Sequence, residues 1–517
     1  MRVGIISVFT DYHRRGAHHR EFLQPQIGPL IAALLPSEID IEIINDTWID
    51  PDWSRDYDLL FMSAMHADFD RARQISHYWR RRGAKTVLGG NMASTYAHLC
   101  RPFFDSIIVG DPEGSVPQAY RDFIAGKLAP IYHAGPYDPD AVPVPRYDLL
   151  PDEQAFPIGL EATRGCPYAC DFCSLTALGT RYEVPSAERV VRDIRAAQRM
   201  NEHRLGRYKR RVIFFTDNNI GGRPAFLRRL CEALEPLDIL WGACITFNVI
   251  TDPAALAMLS RAGCRLLYFG LESFNQATLD DMKKRQNALD QTRRVIDDCR
   301  RHGILAMAGL VLSPTMDDCG YISEIPAHLR ACGLHVPSFI CFEAPFPGTP
   351  HFHTLAARAE PALLPDARLR DFTSYTLVTR PRRETPEDFV DAYKRTLATV
   401  YAPWNRLAKL ADDLPRFLIE GYGVTALADF MEIRRTTMWP QRPERTFLSG
   451  SDTPPPETVP LTAADFDSEA QRQAVLEPMR VSDQDGFVLP EWRLSSRVFA
   501  PRARRAARAL GLAPVAG

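Results

Sequence analysis

Short apolar runs, separated by polar stretches of helical character, recur from the first residues to about residue 350 of this 517-residue chain. That rhythm limits the fold more than any other feature. The first series of runs covers residues 3–8, 39–44, 59–62, 86–88 and 106–109, with helical stretches such as 72–82 between them. A second series covers 158–162, 212–216, 240–247, 265–271, 305–312 and 339–343, with amphipathic helices such as 187–199 and 290–301 intervening. Strand and helix alternating in this way build parallel sheets with helices on their faces. The expected fold is α/β. It comprises an N-terminal doubly wound, Rossmann-like sheet (1–135), a proline-rich extended linker (136–151), a partial barrel of six βα units (152–354) and a mixed, mainly helical C-terminal region (355–517). In both sheet types a ligand belongs beyond the carboxyl ends of the strands. In the first sheet those ends carry Ser63-Ala64-Met65-His66, Gly89-Gly90-Asn91-Met92 and Gly110-Asp111-Pro112-Glu113-Gly114. Glycine at such a place lets backbone approach a ligand closely.

Composition excludes several function classes. A net charge of −2 argues against a chain-wide electrostatic grip on nucleic acid. No apolar run is long enough to span a membrane. The N-terminus reads as a first strand and not as a signal peptide. Eleven cysteines, an odd number scattered along the chain, do not form a disulfide framework, so a reducing, cytoplasmic setting is expected. In the C-terminal region, residues 386–401 read as a helix and 440–460 as a loop. The basic tail 497–508 reads as a helix that is either solvated or held at an anionic surface. Its aromatics Phe372, Tyr375, Tyr393, Tyr401, Trp404, Phe430 and Trp439 could line an apolar pocket or belong to the core.

Cys166, Cys170 and Cys173 follow one another with the spacing C-x3-C-x2-C. On a helix they would form a stripe of small apolar side chains, but Gly165 and Pro167 favour a loop. Zinc sites usually present paired C-x2-C units instead. Three thiolates can hold three irons of a 4Fe–4S cluster and leave the fourth open, whereas most such clusters are closed by a fourth cysteine. None follows here until Cys231.

This spacing, with aromatic Phe172 before the third cysteine, resembles the radical S-adenosylmethionine (SAM) superfamily. In that family SAM chelates the open iron and is cleaved to methionine and a 5′-deoxyadenosyl radical. Other segments resemble the same domain: Glu161-Ala162-Thr163-Arg164 before the cysteines, Phe215-Thr216-Asp217-Asn218-Asn219, Gly270-Leu271-Glu272-Ser273 and Pro345-Phe346-Pro347-Gly348-Thr349-Pro350. The resemblance implies SAM contacts at Phe172, Thr216, Asp217, Gly270, Glu272 and Ser273. It also implies an electron donor such as flavodoxin or ferredoxin. Read without it, Glu272 could be an ordinary surface carboxylate.

The N-terminal part resembles the cobalamin-binding domain that precedes the radical SAM domain in one large subfamily. The segment 23–30 is of the kind that opens its first helix. Asp11, His13 and Gly16 fit the D-x-H-x-x-G pattern of cobalamin enzymes, in which the histidine binds cobalt; a solvated loop histidine is the other reading. Ser63, Met65, His66, Gly89, Gly90, Gly110 and Glu113 complete the implied cobalamin set, Met65 and His66 lying where the loop after the third strand packs under the corrin.

Together these resemblances imply a C-methyltransferase acting on an unactivated carbon of a small molecule, such as a secondary metabolite, lipid or tetrapyrrole. One SAM would recharge cobalamin and a second would supply the radical. A non-methylating enzyme, such as an anaerobic ring cyclase, is the alternative, and residues 12–17 faintly resemble that group. Transfer-RNA methylthiotransferases carry three further upstream cysteines, whereas only Cys100 precedes Cys166 here. A cobalamin-based sensor would not need the cluster loop.

Overall fold

The structure, a computed structural model, describes residues 1–9, 25–179, 182–356, 362–365, 367–409, 411, 447–448, 459–481 and 487. Its first sheet contains β1 (Arg2–Ser7), β2 (Asp40–Asn45), β3 (Leu59–Ser63), β4 (Lys85–Gly89), β5 (Ser106–Val109) and β6 (Ile131–His133). The order is β2-β1-β3-β4-β5-β6, all parallel. Alternate residues of β1 feed opposite faces. Val3 and Ile5 meet the helices Ile27–Ala33 and Pro112–Ile124, while Ile6 joins Phe69, Ile75 and Trp79 of the helix Phe69–Arg80. Helices on both faces make the sheet doubly wound, as the sequence rhythm implies. The three-residue β6 was too short to stand out among the prolines and polar residues around it.

The second sheet contains β7 (Ile158–Leu160), β10 (Val212–Phe215), β11 (Leu240–Cys244), β12 (Cys264–Glu272), β13 (Leu305–Leu312) and β14 (Phe339–Phe342). These pair in parallel as β14-β13-β12-β11-β10-β7, a partial barrel. Every residue of β13 is buried, as befits a parallel strand covered on both faces. The crossover helices start where side chains accept their first free N–H groups. Ser186 caps Ala187–Met200, Asp252 caps Pro253–Arg261 and Asp318 caps Cys319–Ala331. A two-stranded hairpin, β8 (Arg164–Gly165) with β9 (Tyr182–Glu183), brackets the cysteines and was not foreseen.

The linker is laid against both sheets. Arg146 N–H donates to Pro29 O at 3.0 Å, and Arg192 Nη2 reaches Val142 O at 2.7 Å. The helix Pro386–Val400 packs on the barrel, where Tyr393 rests 4.4 Å from Phe342, ring centre to ring centre. Phe372 and Tyr393 are core residues, Tyr401 is buried at the same face, Tyr375 is half-buried and Trp404 is exposed. Phe430, Trp439 and the tail 497–508 lie outside the described residues. Residues 459–481 cover the first sheet's flank: Arg73 Nη1 holds Ala474 O at 2.8 Å, and Met479 N–H donates to Asp70 at 3.2 Å. The only other strands described are β15 (Thr376–Leu377) and β16 (Phe447–Leu448), which pair with each other. Among the described residues no helix is long and apolar enough to cross a membrane.

Candidate functional site

The chain leaves β7 through Glu161–Arg164, and the β8–β9 hairpin fixes both ends of the cysteine loop, with Arg164 opposite Glu183 and Gly165 opposite Tyr182. Gly165 takes φ +85°, a conformation open to glycine. Asp217, just past β10, holds the entry to the loop. Its carboxylate accepts the Ala162 N–H at 2.9 Å, the Thr163 hydroxyl at 2.5 Å and the Thr163 N–H. Burial disfavours the charge more than these bonds favour it, so the Asp217 carboxyl is pushed up to about 7. The residue implied as a SAM contact therefore spends its carboxylate on the loop that carries the cysteines.

All three thiols are free. Burial pushes the Cys173 thiol up to about 11 and raises Cys170, while the Lys284 ammonium acts against burial at both. Asn219 Nδ2 lies 3.6 Å from Cys166 Sγ, and Gln286 Nε2 lies 3.6 Å from Cys170 Sγ. Among the described residues no group of three or more His, Cys, Asp or Glu side chains converges on one ion. A cubic cluster makes no such demand, because each thiolate takes a different iron. Three separate free thiols, two of them with an amide donor at the sulfur, fit that group. Iron would supply the positive charge that deprotonates them.

The turn after the helix Gln276–Asp281 folds back over this loop. Lys283 Nζ pairs with Asp171 at 2.6 Å, and Lys284 Nζ pairs with Glu272 at 2.5 Å while lying 5.9 Å from the Phe172 ring centre. Burial pulls Lys284 down, but Glu272 and Cys170 outweigh it, and its pKa is raised. Glu272 takes φ +63° at a bulge that ends the regular pairing of β12 with β13. A Cβ on Gly270 would run into the Glu272 carboxylate, so any larger residue there would displace the Glu272 side chain from its place beside Lys284. Asn287 Nδ2 holds the Gly270 and Leu271 carbonyls at 3.0 and 2.8 Å. Ser273 is buried, its hydroxyl 2.8 Å from that of Tyr321, and half-buried Thr216 donates to Leu160 O at 3.1 Å. Glu272 is thus a buried, paired carboxylate rather than a surface one.

At the first sheet, the loops after β3 and β4 are tied together: Ala64 N–H donates to Gly89 O and Met92 N–H to Ala64 O, both at 3.3 Å. Gly90 and Gly110 take φ +90° and +92°. A Cβ on Gly90 would lie 2.7 Å from Ala64 O, and one on Gly110 would lie 2.7 Å from Ala134 Cβ. Their need for glycine comes from packing within the protein. Gly89 has nothing closer than 3.9 Å to such an atom. Met65 is 46% exposed, Ser63 is half-buried, and His66 is 2% exposed with its ring edge-on to Tyr96 at 5.9 Å. Of the two neighbours expected beneath a corrin, His66 is therefore turned inward and Met65 outward. An exposed thioether beside an open glycine, at an edge where strand order reverses, fits a flat apolar macrocycle. Asp11, His13 and Gly16 lie outside the described residues.

The two sheets meet beside the first cysteine. Arg164 Nη1 reaches Glu113 at 2.7 Å, Asp111 at 3.3 Å and the Tyr137 hydroxyl at 3.0 Å, and Nη2 reaches Glu161 at 2.7 Å. Burial pushes the Glu113 carboxyl up, and Arg164 opposes that shift. The implied cobalamin contact Glu113 is thus joined to the cluster loop. Gly348, at φ +89°, packs so tightly on Thr95 that a Cβ would collide with that side chain. His351 N–H donates to Asp171 O at 3.2 Å. Sequence reasoning assigned no role to Arg164, Asn219, Lys284, Gln286 or Asn287. Arg164 and Asn219 stood inside quoted motifs, whereas the other three carry no motif signal.

Residues 160–321 match the model of the Radical SAM superfamily. Bacteriochlorophyllide d C-8(2)-methyltransferase of Chlorobaculum tepidum is 24% identical over 403 residues, which cover 75% of this chain and 88% of that protein. An anaerobic magnesium-protoporphyrin IX monomethyl ester cyclase of Rubrivivax gelatinosus is 24% identical over 42% of this chain and 36% of its own. The radical SAM methyltransferase TsrM of Kitasatospora setae, solved with cobalamin and a 4Fe–4S cluster bound, shares the fold with a TM-score of 0.58 at 14% identity, over 78% of this chain and 88% of that one.

Proposed function

We propose that this chain, which carries a radical SAM domain over residues 160–321, is a cobalamin-dependent C-methyltransferase acting on a small molecule. The observation that carries this reading is the direct junction of the cysteine loop with the carboxyl edge of the first sheet, through Arg164 and Glu113 at 2.7 Å. A cluster site and a corrin site joined in this way fit a reaction that needs both. Similarity along three quarters of the chain to a tetrapyrrole methyltransferase supports methylation, while the cyclase shares a smaller part.

Cys166, Cys170 and Cys173 would hold the cluster. Gly270 and Glu272, with Phe172, would border SAM, and Lys284 pairs with Glu272. Thr216 stands at the same strand ends. Asp217 and Ser273 act as positioning residues, through the cysteine loop and through Tyr321. Met65, Ser63, Gly89 and Gly90 would face cobalamin, and Gly110 and Glu113 would set the neighbouring loop. Bound together, these groups supply hydrogen abstraction from an unactivated carbon and a transferable methyl group. The protein orients them and excludes water. A tetrapyrrole is the substrate class most in keeping with the relatives. A low-potential donor such as flavodoxin or ferredoxin belongs to the same reading, as does a cytoplasmic setting, with which eleven free thiols are in keeping.

Product analysis with methyl-deuterated SAM tests it. Each turnover should consume two SAM molecules, give one S-adenosylhomocysteine and one 5′-deoxyadenosine, and leave the label in the product. Coupled turnover giving 5′-deoxyadenosine with an unlabelled product would replace the methyltransferase by the cyclase. Corrin bands without cluster absorption would point to the sensor.

A further inference from the structure

We infer that the side-chain amides of Asn219 and Gln286 tune the reduction potential of the cluster, each by donating an N–H to the sulfur of one cluster-holding cysteine. The inference rests on the cluster reading above. Asn219 is fully buried, two residues past Asp217. Asn219 Nδ2 faces Cys166 Sγ at 3.6 Å, and the Thr246 hydroxyl lies on the oxygen side of the amide, 3.5 Å from Oδ1. Gln286 comes from a different element, the turn that carries Lys283 and Lys284, and its Nε2 faces Cys170 Sγ at 3.6 Å. Two of the three sulfurs thus have an amide N–H donor, drawn from two separate elements far apart in sequence.

The physical effect has one sign. An N–H donor stabilises negative charge on the sulfur it meets. A reduced cluster carries one more electron than an oxidised one, and part of that charge resides on sulfur. Donors therefore favour the reduced state and raise the potential. A leucine in place of buried Asn219 would fill similar space without the cost of burying an amide.

The test uses the full chain, reconstituted anaerobically with iron and sulfide. Cluster reduction is followed by paramagnetic resonance against applied potential, with iron counted in parallel and no substrate present. Asn219→Leu, Asn219→Asp and Gln286→Met should keep their iron and shift the midpoint to more negative potential. The largest shift belongs to Asn219→Asp, which keeps the shape but puts an acceptor beside the sulfur. The smallest belongs to Gln286→Met, because at a half-exposed site solvent already screens the sulfur and each donor counts for less. Full iron with an unchanged midpoint in Asn219→Leu and Gln286→Met would overturn the inference alone. Should the Asn219 variants fail to hold iron, the half-exposed Gln286→Met variant decides by the same measurement. A wild-type chain that takes up no iron would sink the cluster reading, and this inference with it.

Discussion

The two sheets have the same number of parallel strands and opposite ways of making room for a ligand. In the first, the order β2-β1-β3-β4-β5-β6 reverses between β1 and β3, so the connections leaving those strands part and open a crevice at the carboxyl edge. In the barrel the order runs from β7 to β14 without reversal. Its strand ends therefore converge on one mouth. The chemistry follows the geometry. The crevice is lined by glycine turns and an exposed methionine, suited to a flat apolar ligand. The mouth holds buried, hydrogen-bonded carboxyl groups: Glu272 paired with Lys284, Asp217 bonded to the loop backbone, and Glu343 accepting the Ser313 hydroxyl at 2.5 Å. One sheet shapes a slot, and the other holds reactive groups in fixed positions.

The comparison breaks most sharply at the cysteines. If mouth and crevice hold separate cofactors, Cys170→Ala should abolish cluster uptake and SAM cleavage while leaving cobalamin bound. Iron counting and corrin absorption on one sample check this, and loss of both cofactors together would show a single composite site. Cys231, Cys244 and Cys264 sit on the helix Pro224–Leu234, on β11 and on β12, and replacing them should leave the iron in place.

Next in size is the link between the sheets. Arg164→Ala leaves Glu113, whose side chain is only 6% exposed, without its countercharge. The expected cost is about 2–4 kcal/mol, below the fully buried range because part of the guanidinium stays wet. Arg164→Lys keeps the charge but loses the fork that spans Glu113 and Glu161, and should cost less. Urea denaturation measures both. Equal losses would mean that charge alone joins the sheets.

A third test concerns the mouth only. The Asp217 carboxyl stands at about 7 in the folded chain against an ordinary 3.8, so the folded state binds the proton more tightly than the unfolded one. Its contribution to stability is present below about pH 4, shrinks as pH rises towards 7 and is gone above that. Asp217→Asn removes the effect. Relative to that variant, the wild-type apoprotein should lose stability with rising pH, by at most about 1.4 kcal/mol per unit. Parallel pH curves would place the proton elsewhere.

How much of this was legible in the sequence depended on the range of the interactions involved. Both sheets could be read because parallel strands buried on two faces leave runs such as Leu305–Leu312. The cysteine loop could be read because its residues are neighbours in sequence. Lys284, Gln286 and Asn287 could not, since they reach Glu272, Cys170 and Gly270 only after the chain folds back on itself. The role of Glu113 was obscured for the same reason: its partner Arg164 lies 51 residues away. His66 does fall in the loop after β3, but a strand-end loop turns alternate residues in and out, and the sequence alone did not say that Met65 would be the one outside.

The smallest effects test why two adjacent glycines stand at the crevice. Gly90 answers to the protein: φ is +90° and a Cβ would meet Ala64 O at 2.7 Å. Gly90→Ala should therefore destabilise the fold by about 1–2 kcal/mol, with or without ligand. Gly89 answers to nothing in the protein, since a Cβ there would find its nearest neighbour, Met62 O, at 3.9 Å, an ordinary contact. Gly89→Ala should change stability by no more than about 0.5 kcal/mol. If a corrin approaches the backbone at this loop, the added methyl meets the ligand and not the protein, and cobalamin affinity falls while the denaturation midpoint of the ligand-free chain stays put. Titration of corrin absorption beside denaturation of the apoprotein separates the two. Unchanged affinity in Gly89→Ala would move the corrin away from the β4 loop and leave Met65 as the nearer contact.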